Sequence, residues 1–376
     1  MIDPGPRRNL TRRQLGRMAA LLAAGSSLPF YNEFALAQGL SAFRALPPDA
    51  TLLNANENPM GPCPEALEAA RAAVEQGGRY LYRKTFEFLD AMAAAVELPK
   101  EKVAAFAGSS DPLHRTVLAF TSSSKAFVVA DPGYEAGERA ARFVGAKVVR
   151  VPLLKDGAHD VRGMAAADPD AGLIYVCNPN NPTGSVTPKR EIEYLVEHKP
   201  KGAVVLVDEA YLHFSESARP CIDLVAEDKD VVVLRTFSKL YGMAGLRAGA
   251  ALARPDLMER IKGFGFGAMP VAGMAAATAS LKADGLVERR RAEVASIRAD
   301  TLAWLGAKGY HTLPTEANMF MVDVRRPGRE VFEAMLQHKV AIGRVWPSLP
   351  THVRITVGTR EEMAKFKRAF ERVIEA

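Results

Sequence analysis

The sequence predicts an α/β protein: a large domain built on a mainly parallel sheet flanked by helices, and a smaller α+β domain after it. Three observations carry this expectation. From about Val103 to Ala253, short β-rich runs alternate with helical patterns, the rhythm of strand–helix–strand units. Several of those runs are continuously apolar, as in strands covered on both faces. The chain is 376 residues long, more than a single hydrophobic core usually supports.

Residues 1–37 do not read as part of the fold. Arg7 and Arg8 are followed by Thr11-Arg12-Arg13-Gln14-Leu15, then a short, modestly apolar stretch from Met18 to Leu28, then Ala35-Leu36-Ala37. A basic start, an apolar middle and a small-x-small end are the parts of an export signal. The Arg12-Arg13 pair resembles the twin-arginine type, which implies a periplasmic protein with no stable membrane association after export; the alternative is a cytoplasmic protein capped by an exposed amphipathic helix. The apolar run is too short for a membrane span. Residues 38–75 are expected to join the small domain.

The large domain is expected over 76–262. Its strands are predicted at Ala126–Ala130, Lys147–Val151, Leu173–Cys177, Ala203–Val207, Val231–Leu234 and Ala248–Leu252, with helices over Asp111–Phe120 and Lys189–His198. Thr187-Pro188 is the start signal of the second helix. Gly263-Phe264-Gly265-Phe266-Gly267 is a hinge candidate, and 263–376 is expected to form the small domain. There one long helical pattern covers 272–308, strands cover 318–324 and 353–357, and a helix covers 361–375.

Composition narrows the function. Net charge is +6, of which five arginines against Asp3 and Glu33 contribute +3 within residues 1–37. There is no Lys/Arg stripe with interleaved aromatics, so nucleic acid is not an expected partner. Cys63, Cys177 and Cys221 are few and far apart, with neither a metal-ligand nor a disulfide pattern.

Polar residues appear where the apolar strands stop. Asp131-Pro132-Gly133-Tyr134 follows the first, Asn178-Pro179-Asn180-Asn181-Pro182-Thr183-Gly184 the third, and Asp208-Glu209-Ala210-Tyr211 the fourth. Val231–Leu234 runs into Arg235-Thr236-Phe237-Ser238-Lys239 and on to Arg247. Ligands of open parallel sheets bind outside the carboxyl ends of strands, so these ends define one site.

The residue types fit pyridoxal phosphate. Its aldehyde needs a lysine, and Lys239 stands among hydroxyls, glycines and an arginine. Its pyridine nitrogen needs a carboxylate, which Asp208 can provide. Tyr211 and Asn181 can donate to the ring oxygen, and Tyr134 can face the ring. Thr236, Ser238 and Arg247 suit the phosphate. So does Gly108-Ser109-Ser110-Asp111 at a helix start. Each feature alone is commonplace; a lone lysine after a strand is usually a solvated surface residue.

The chain resembles fold-type I pyridoxal phosphate aminotransferases of the class I/II group, and within them histidinol-phosphate aminotransferases. The motifs are Asn54-Ala55-Asn56-Glu57-Asn58-Pro59, Arg79-Tyr80, Asn181-Pro182-Thr183-Gly184, Asp208-Glu209-Ala210-Tyr211, Ser238-Lys239 through Arg247, and Val353-Arg354-Ile355-Thr356-Val357-Gly358-Thr359. The resemblance implies that Lys239 holds the cofactor and shuttles a proton, with amino acids and 2-oxo acids as substrates. It implies that Arg354 clamps the substrate α-carboxylate, that Asn54 lies on the substrate side, and that Arg344 meets a substrate phosphate. It also implies a homodimer in which Tyr80 reaches the partner's cofactor phosphate.

Two departures stand out. Leu81-Tyr82 follow Arg79-Tyr80 where the subfamily has Pro-Asp, so Tyr82 competes with Tyr80 for that role. Pro112 replaces the usual acidic residue after Asp111. An amino-acid decarboxylase, a carbon–sulfur lyase, or a non-catalytic ligand-binding protein that kept the fold are the rival readings.

Overall fold

The computed structural model describes residues 46–265 and 268–375. The expected export signal lies outside these residues, as do Phe266 and Gly267 of the hinge candidate. Eleven strands are described: β1 (Thr51–Leu53), β2 (Val103–Phe106), β3 (Ala126–Asp131), β4 (Val148–Pro152), β5 (Ala171–Cys177), β6 (Val204–Asp208), β7 (Val231–Thr236), β8 (Gly249–Ala253), β9 (Met319–Asp323), β10 (Val340–Ile342) and β11 (His352–Thr356).

Seven of them form one sheet in the order β2-β8-β7-β6-β5-β3-β4. The six strands expected from the apolar runs are β3 to β8, each within two residues of its expected bounds. Pairing is parallel except at β8, which runs antiparallel to both β2 and β7. Both faces of the sheet are covered. On β5, Leu173, Tyr175 and Cys177 enter one core while Ile174 and Val176 enter the other, the period of two that a strand imposes.

The reversal at β8 brings two loops to one edge of the sheet. Thr236 at the end of β7 pairs with Gly249 at the start of β8, and Gly249 also pairs with Phe106 at the end of β2. The turn holding Lys239 and Arg247 therefore opens at the same edge as the segment after β2. Gly249 has no room for a side chain: a Cβ there would stand 2.5 Å from the Gly108 carbonyl carbon.

The remaining strands form two short pairs, β1 with β10 in parallel and β9 with β11 antiparallel. The Leu286–Ala307 and Arg360–Glu375 helices pack beside them. Trp304, Tyr310, Phe320, Phe366 and Phe370 meet there, mostly edge to face, the arrangement that ring quadrupoles favour.

The single helical pattern expected over 272–308 is two helices, Val271–Leu281 and Leu286–Ala307. Gly285, at φ +61°, makes the break, a conformation cheap only for glycine. The first of the two packs against the Pro64–Glu75 and Tyr82–Val96 helices. No helix among the described residues is long and apolar enough to cross a membrane.

Candidate active site

A cavity of about 290 Å³ opens where β3, β5, β6 and β7 end. Ser109, Ser110, Tyr134, Asn181, Asp208, Tyr211, Thr236, Ser238, Lys239 and Arg247 line it, together with Ala55, Glu57 and Cys177. The four strand ends singled out by sequence thus converge on one space.

Asp208 ends β6 opposite Cys177 of β5. Its carboxylate is buried and accepts from the Tyr175 hydroxyl at 3.0 Å and the Ala210 amide at 3.1 Å. Burial raises its pKa to about 6, against the pull of Tyr175, the Ala210 amide and the Lys239 ammonium. Lys239 donates from Nζ to the Ala55 carbonyl at 3.0 Å, and that nitrogen stands 5.7 Å from the Tyr211 ring centre. The amine and the carboxylate therefore face one cavity.

Tyr211 is held by two amides. Asn56 Nδ2 donates to its hydroxyl at 3.0 Å and Asn181 Nδ2 at 3.4 Å. Accepting from both, the hydroxyl acts as a donor toward a third partner. Asn181 Oδ1 in turn accepts from Arg354 Nη1 at 2.8 Å. Arg354 is fully buried, and its Nη2 donates to the Asn54 carbonyl at 2.5 Å. Asn54 Nδ2 is buried with no hydrogen-bond partner among the described residues.

At the other end of the cavity, hydroxyls and a guanidinium gather. Thr236 Oγ1 donates to Ser238 Oγ at 3.0 Å, and Arg247 Nη1 donates to the same Ser238 oxygen at 3.2 Å. Arg247 Nη2 donates to the Ala107 carbonyl at 3.2 Å. Burial lowers the Arg247 pKa. Gly108, at φ +83°, lies against this guanidinium: a Cβ there would be 2.4 Å from Nη2. The Ser110–Phe120 helix begins here with its N–H groups toward the cavity end that Ser109 and Ser110 line, a favourable place for an anion.

Arg354 and Asn54 stand beside the cavity without lining it, and Asp111, Arg344, Tyr80 and Tyr82 do not line it either. Asp111 turns away and binds Arg115 through both oxygens, at 2.6 and 2.9 Å. Its carboxylate is thus taken up by Arg115, and of this segment Ser109 and Ser110 line the cavity. Arg344 forms an ion pair with Glu135 and lies 4.2 Å over the Trp346 ring. Tyr80 and Tyr82 are 79% and 70% exposed, and their rings stack 5.5 Å apart. Neither lines the cavity of its own chain.

Sequence reasoning assigned no role to Tyr175 or Asn56. Tyr175 reads as an ordinary β-former inside an apolar strand. Asn56 carried a local signal, since asparagine is among the few side chains that tolerate its φ of +53°.

The family description "Aminotransferase class I and II" matches residues 48–370. This chain belongs to the class I and II aminotransferases. Among its relatives, the histidinol-phosphate aminotransferase of Symbiobacterium thermophilum is 35% identical, covering 86% of this chain and 90% of the relative. The aromatic amino acid aminotransferase of Rhodococcus jostii is 33% identical over 85% of this chain and 89% of its own. The crystal structure of histidinol-phosphate aminotransferase from Sinorhizobium meliloti, in complex with pyridoxal-5′-phosphate, superposes with a TM-score of 0.78 at 27% identity. It covers 87% of this chain and 91% of that one.

The fold is accordingly fold-type I, and the activity is transamination with pyridoxal 5′-phosphate as cofactor. The aminotransferase cavity fits that group on its own residues. It has a buried carboxylate and an amine on one space, a hydroxyl–guanidinium cluster at a helix start, and a glycine where a side chain would fill the cradle. The decarboxylase, lyase and non-catalytic readings lose ground to transamination.

Proposed function

We propose that this aminotransferase accepts the amino group of an amino acid whose α-carboxylate is clamped by Arg354. It then passes the group to a 2-oxo acid by a ping-pong route. The carrying observation is the chain of contacts from Arg354 through Asn181 to Tyr211. It ties a buried guanidinium to the hydroxyl of Tyr211, whose ring centre lies 5.7 Å from Lys239 Nζ, so that one set of bonds would position substrate and cofactor. Asn54 Nδ2, buried without a partner, supports a polar substrate contact beside it.

Pyridoxal phosphate, when bound, supplies an aldehyde that takes up the amino group and a ring that withdraws electrons from the carbon bearing it. The protein's residues do the rest. Lys239 would hold the cofactor, and its amine would be the group that moves the proton of the substrate α-carbon. Asp208 would face the ring nitrogen. Tyr211 and Asn181 would hold the ring oxygen, Tyr134 would face the ring, and Thr236, Ser238, Arg247 and the amides near Ser109 and Ser110 would hold the phosphate.

The favoured donor has an uncharged side chain rather than a phosphate. Glu135 neutralises Arg344, and Trp346 lies under it, so an incoming phosphate meets a carboxylate as well as a guanidinium. The test is a donor panel including aromatic amino acids and histidinol phosphate, read by loss of the bound cofactor's visible absorbance. Histidinol phosphate as the best donor overturns this preference. Lys239→Ala is expected to abolish turnover with every donor, and retained transamination in that variant removes the reading itself.

The active unit is a homodimer, with Tyr80 or Tyr82 reaching the partner's cofactor phosphate. Leu67 and Val74 on the Pro64–Glu75 helix, and the stacked Tyr80 and Tyr82 with Phe86 at the start of the Tyr82–Val96 helix, are exposed, apolar surface of the kind that marks interfaces. Sedimentation gives the stoichiometry. Mixing inactive Lys239→Ala subunits with Tyr80→Ala subunits identifies a residue acting in trans by its pattern of recovered activity. The enzyme is exported by the twin-arginine route. Arg12→Lys with Arg13→Lys is expected to strand it in the cytoplasm, as cell fractionation reads.

A further inference from the structure

β5 and β6 run in parallel with Tyr175 opposite Leu206 and Cys177 opposite Asp208. Residues two apart on a strand share a face, so Tyr175 and Asp208 are diagonal neighbours, within reach of a long aromatic side chain. The hydroxyl closes that diagonal at 3.0 Å to Asp208 Oδ2, while the Ala210 amide takes Oδ1 at 3.1 Å. Each carboxylate oxygen thus has one protein donor, which fixes the plane of the group. The Tyr175 ring is buried 6.4 Å from that of Phe127, so it has little freedom to swing away.

We propose that Tyr175 is a positioning residue that locks the Asp208 carboxylate in the orientation and charge state that receive the cofactor's ring nitrogen. The inference rests on Asp208 facing that nitrogen. Burial alone drives a carboxylate toward its neutral form, and a neutral Asp208 cannot pair with a protonated ring. Tyr175 is the foremost influence opposing burial. Its own proton is secure, because burial and the adjacent Asp208 raise its pKa well above the usual value. The other titratable or charged groups around the pair are Lys239, Glu209, Cys177 and Tyr134, and Tyr175→Phe leaves all of them in place.

The test titrates pyridoxal phosphate into cofactor-free wild type, Tyr175→Phe, Asp208→Asn and the double variant from pH 5 to 8.5, following absorbance and intrinsic fluorescence. Tyr175→Phe is expected to bind nearly as tightly as wild type at pH 8. At pH 6 it binds about fivefold more weakly, its affinity falling off roughly one pH unit higher. Asp208→Asn binds weakly throughout, and adding Tyr175→Phe to it changes nothing further. The cofactor's own phosphate also titrates in this range, but that component is common to all four proteins. Superimposable pH profiles for wild type and Tyr175→Phe overturn the proposal. Undiminished binding by Asp208→Asn overturns instead the reading on which it rests. If cofactor-free Tyr175→Phe precipitates, the holoenzyme decides: loss of visible absorbance on dilution is expected to be faster than wild type at pH 6 but not at pH 8, and equal rates at pH 6 refute it.

Discussion

Replacing Gly108 by alanine tests whether Arg247 is a phosphate ligand held by its backing loop. The new Cβ would stand 2.4 Å from Arg247 Nη2 and 3.0 Å from Cζ. The first distance is one that real Cβ atoms essentially never show, so the guanidinium must move. Its bonds to the Ala107 carbonyl and to Ser238 Oγ, each 3.2 Å, go with it. Two costs result. Alanine at φ +83° carries about 1–2 kcal/mol of backbone strain, which lowers stability with or without cofactor. A misplaced guanidinium forfeits a charge-assisted bond to phosphate, about 1.5–3 kcal/mol, or roughly 10- to 140-fold in cofactor affinity. The assay is the dissociation constant of pyridoxal phosphate from the refolded, cofactor-free variant, with melting temperature measured alongside. Arg247→Ala and the double variant complete a cycle: once the guanidinium is gone, the alanine should add only strain and no further loss of affinity. Affinity within twofold of wild type for Gly108→Ala refutes the argument.

Two other outcomes are expected. In the cofactor-free protein Asp208 has a pKa of about 6, raised by burial above the value of about 4 expected in the unfolded chain. The folded state then binds the extra proton between those values, so stability falls as pH rises from about 4 through 6. Asp208→Asn should flatten that segment of the melting-temperature curve, and an unchanged slope speaks against the assignment. Glu135→Gln removes the carboxylate that pairs with Arg344 and should raise kcat/KM for phosphorylated donors about tenfold over neutral ones, a change of ~1.4 kcal/mol. Unaltered selectivity in steady-state kinetics places Arg344 away from the substrate.

Much of the fold was legible because strands covered on both faces are written as unbroken apolar runs; β3 and β5 to β8 show this plainly. The site was legible because polar side chains that must face a cavity interrupt those runs at their ends. What escaped has physical causes. β1 and β10 are three residues each, too short for any period to register. The direction of β8 is set by pairing, which composition does not encode. Helical periodicity continues across residues 282–285, and Gly285 breaks the helix by conformation alone. The Asp111 side chain was drawn away by an arginine one turn along its own helix, a local pairing that competes with any ligand role. Tyr175 was hidden because its hydroxyl, not its ring, carries the meaning.

Asp208 and Glu209 are consecutive, yet they serve opposite sides of the sheet. The first lines the cavity, while the second binds Arg235 Nε and the Cys221 amide, both at 2.6 Å, within the helix layer behind. Arg235 and Thr236 divide in the same way one strand over. A single-residue insertion or deletion within β6 or β7 would exchange these assignments at once, delivering a glutamate or an arginine to the cofactor and orphaning a charge in the interior. The length of these two strands is therefore the part of the scaffold least open to change, whatever happens in the loops beyond them.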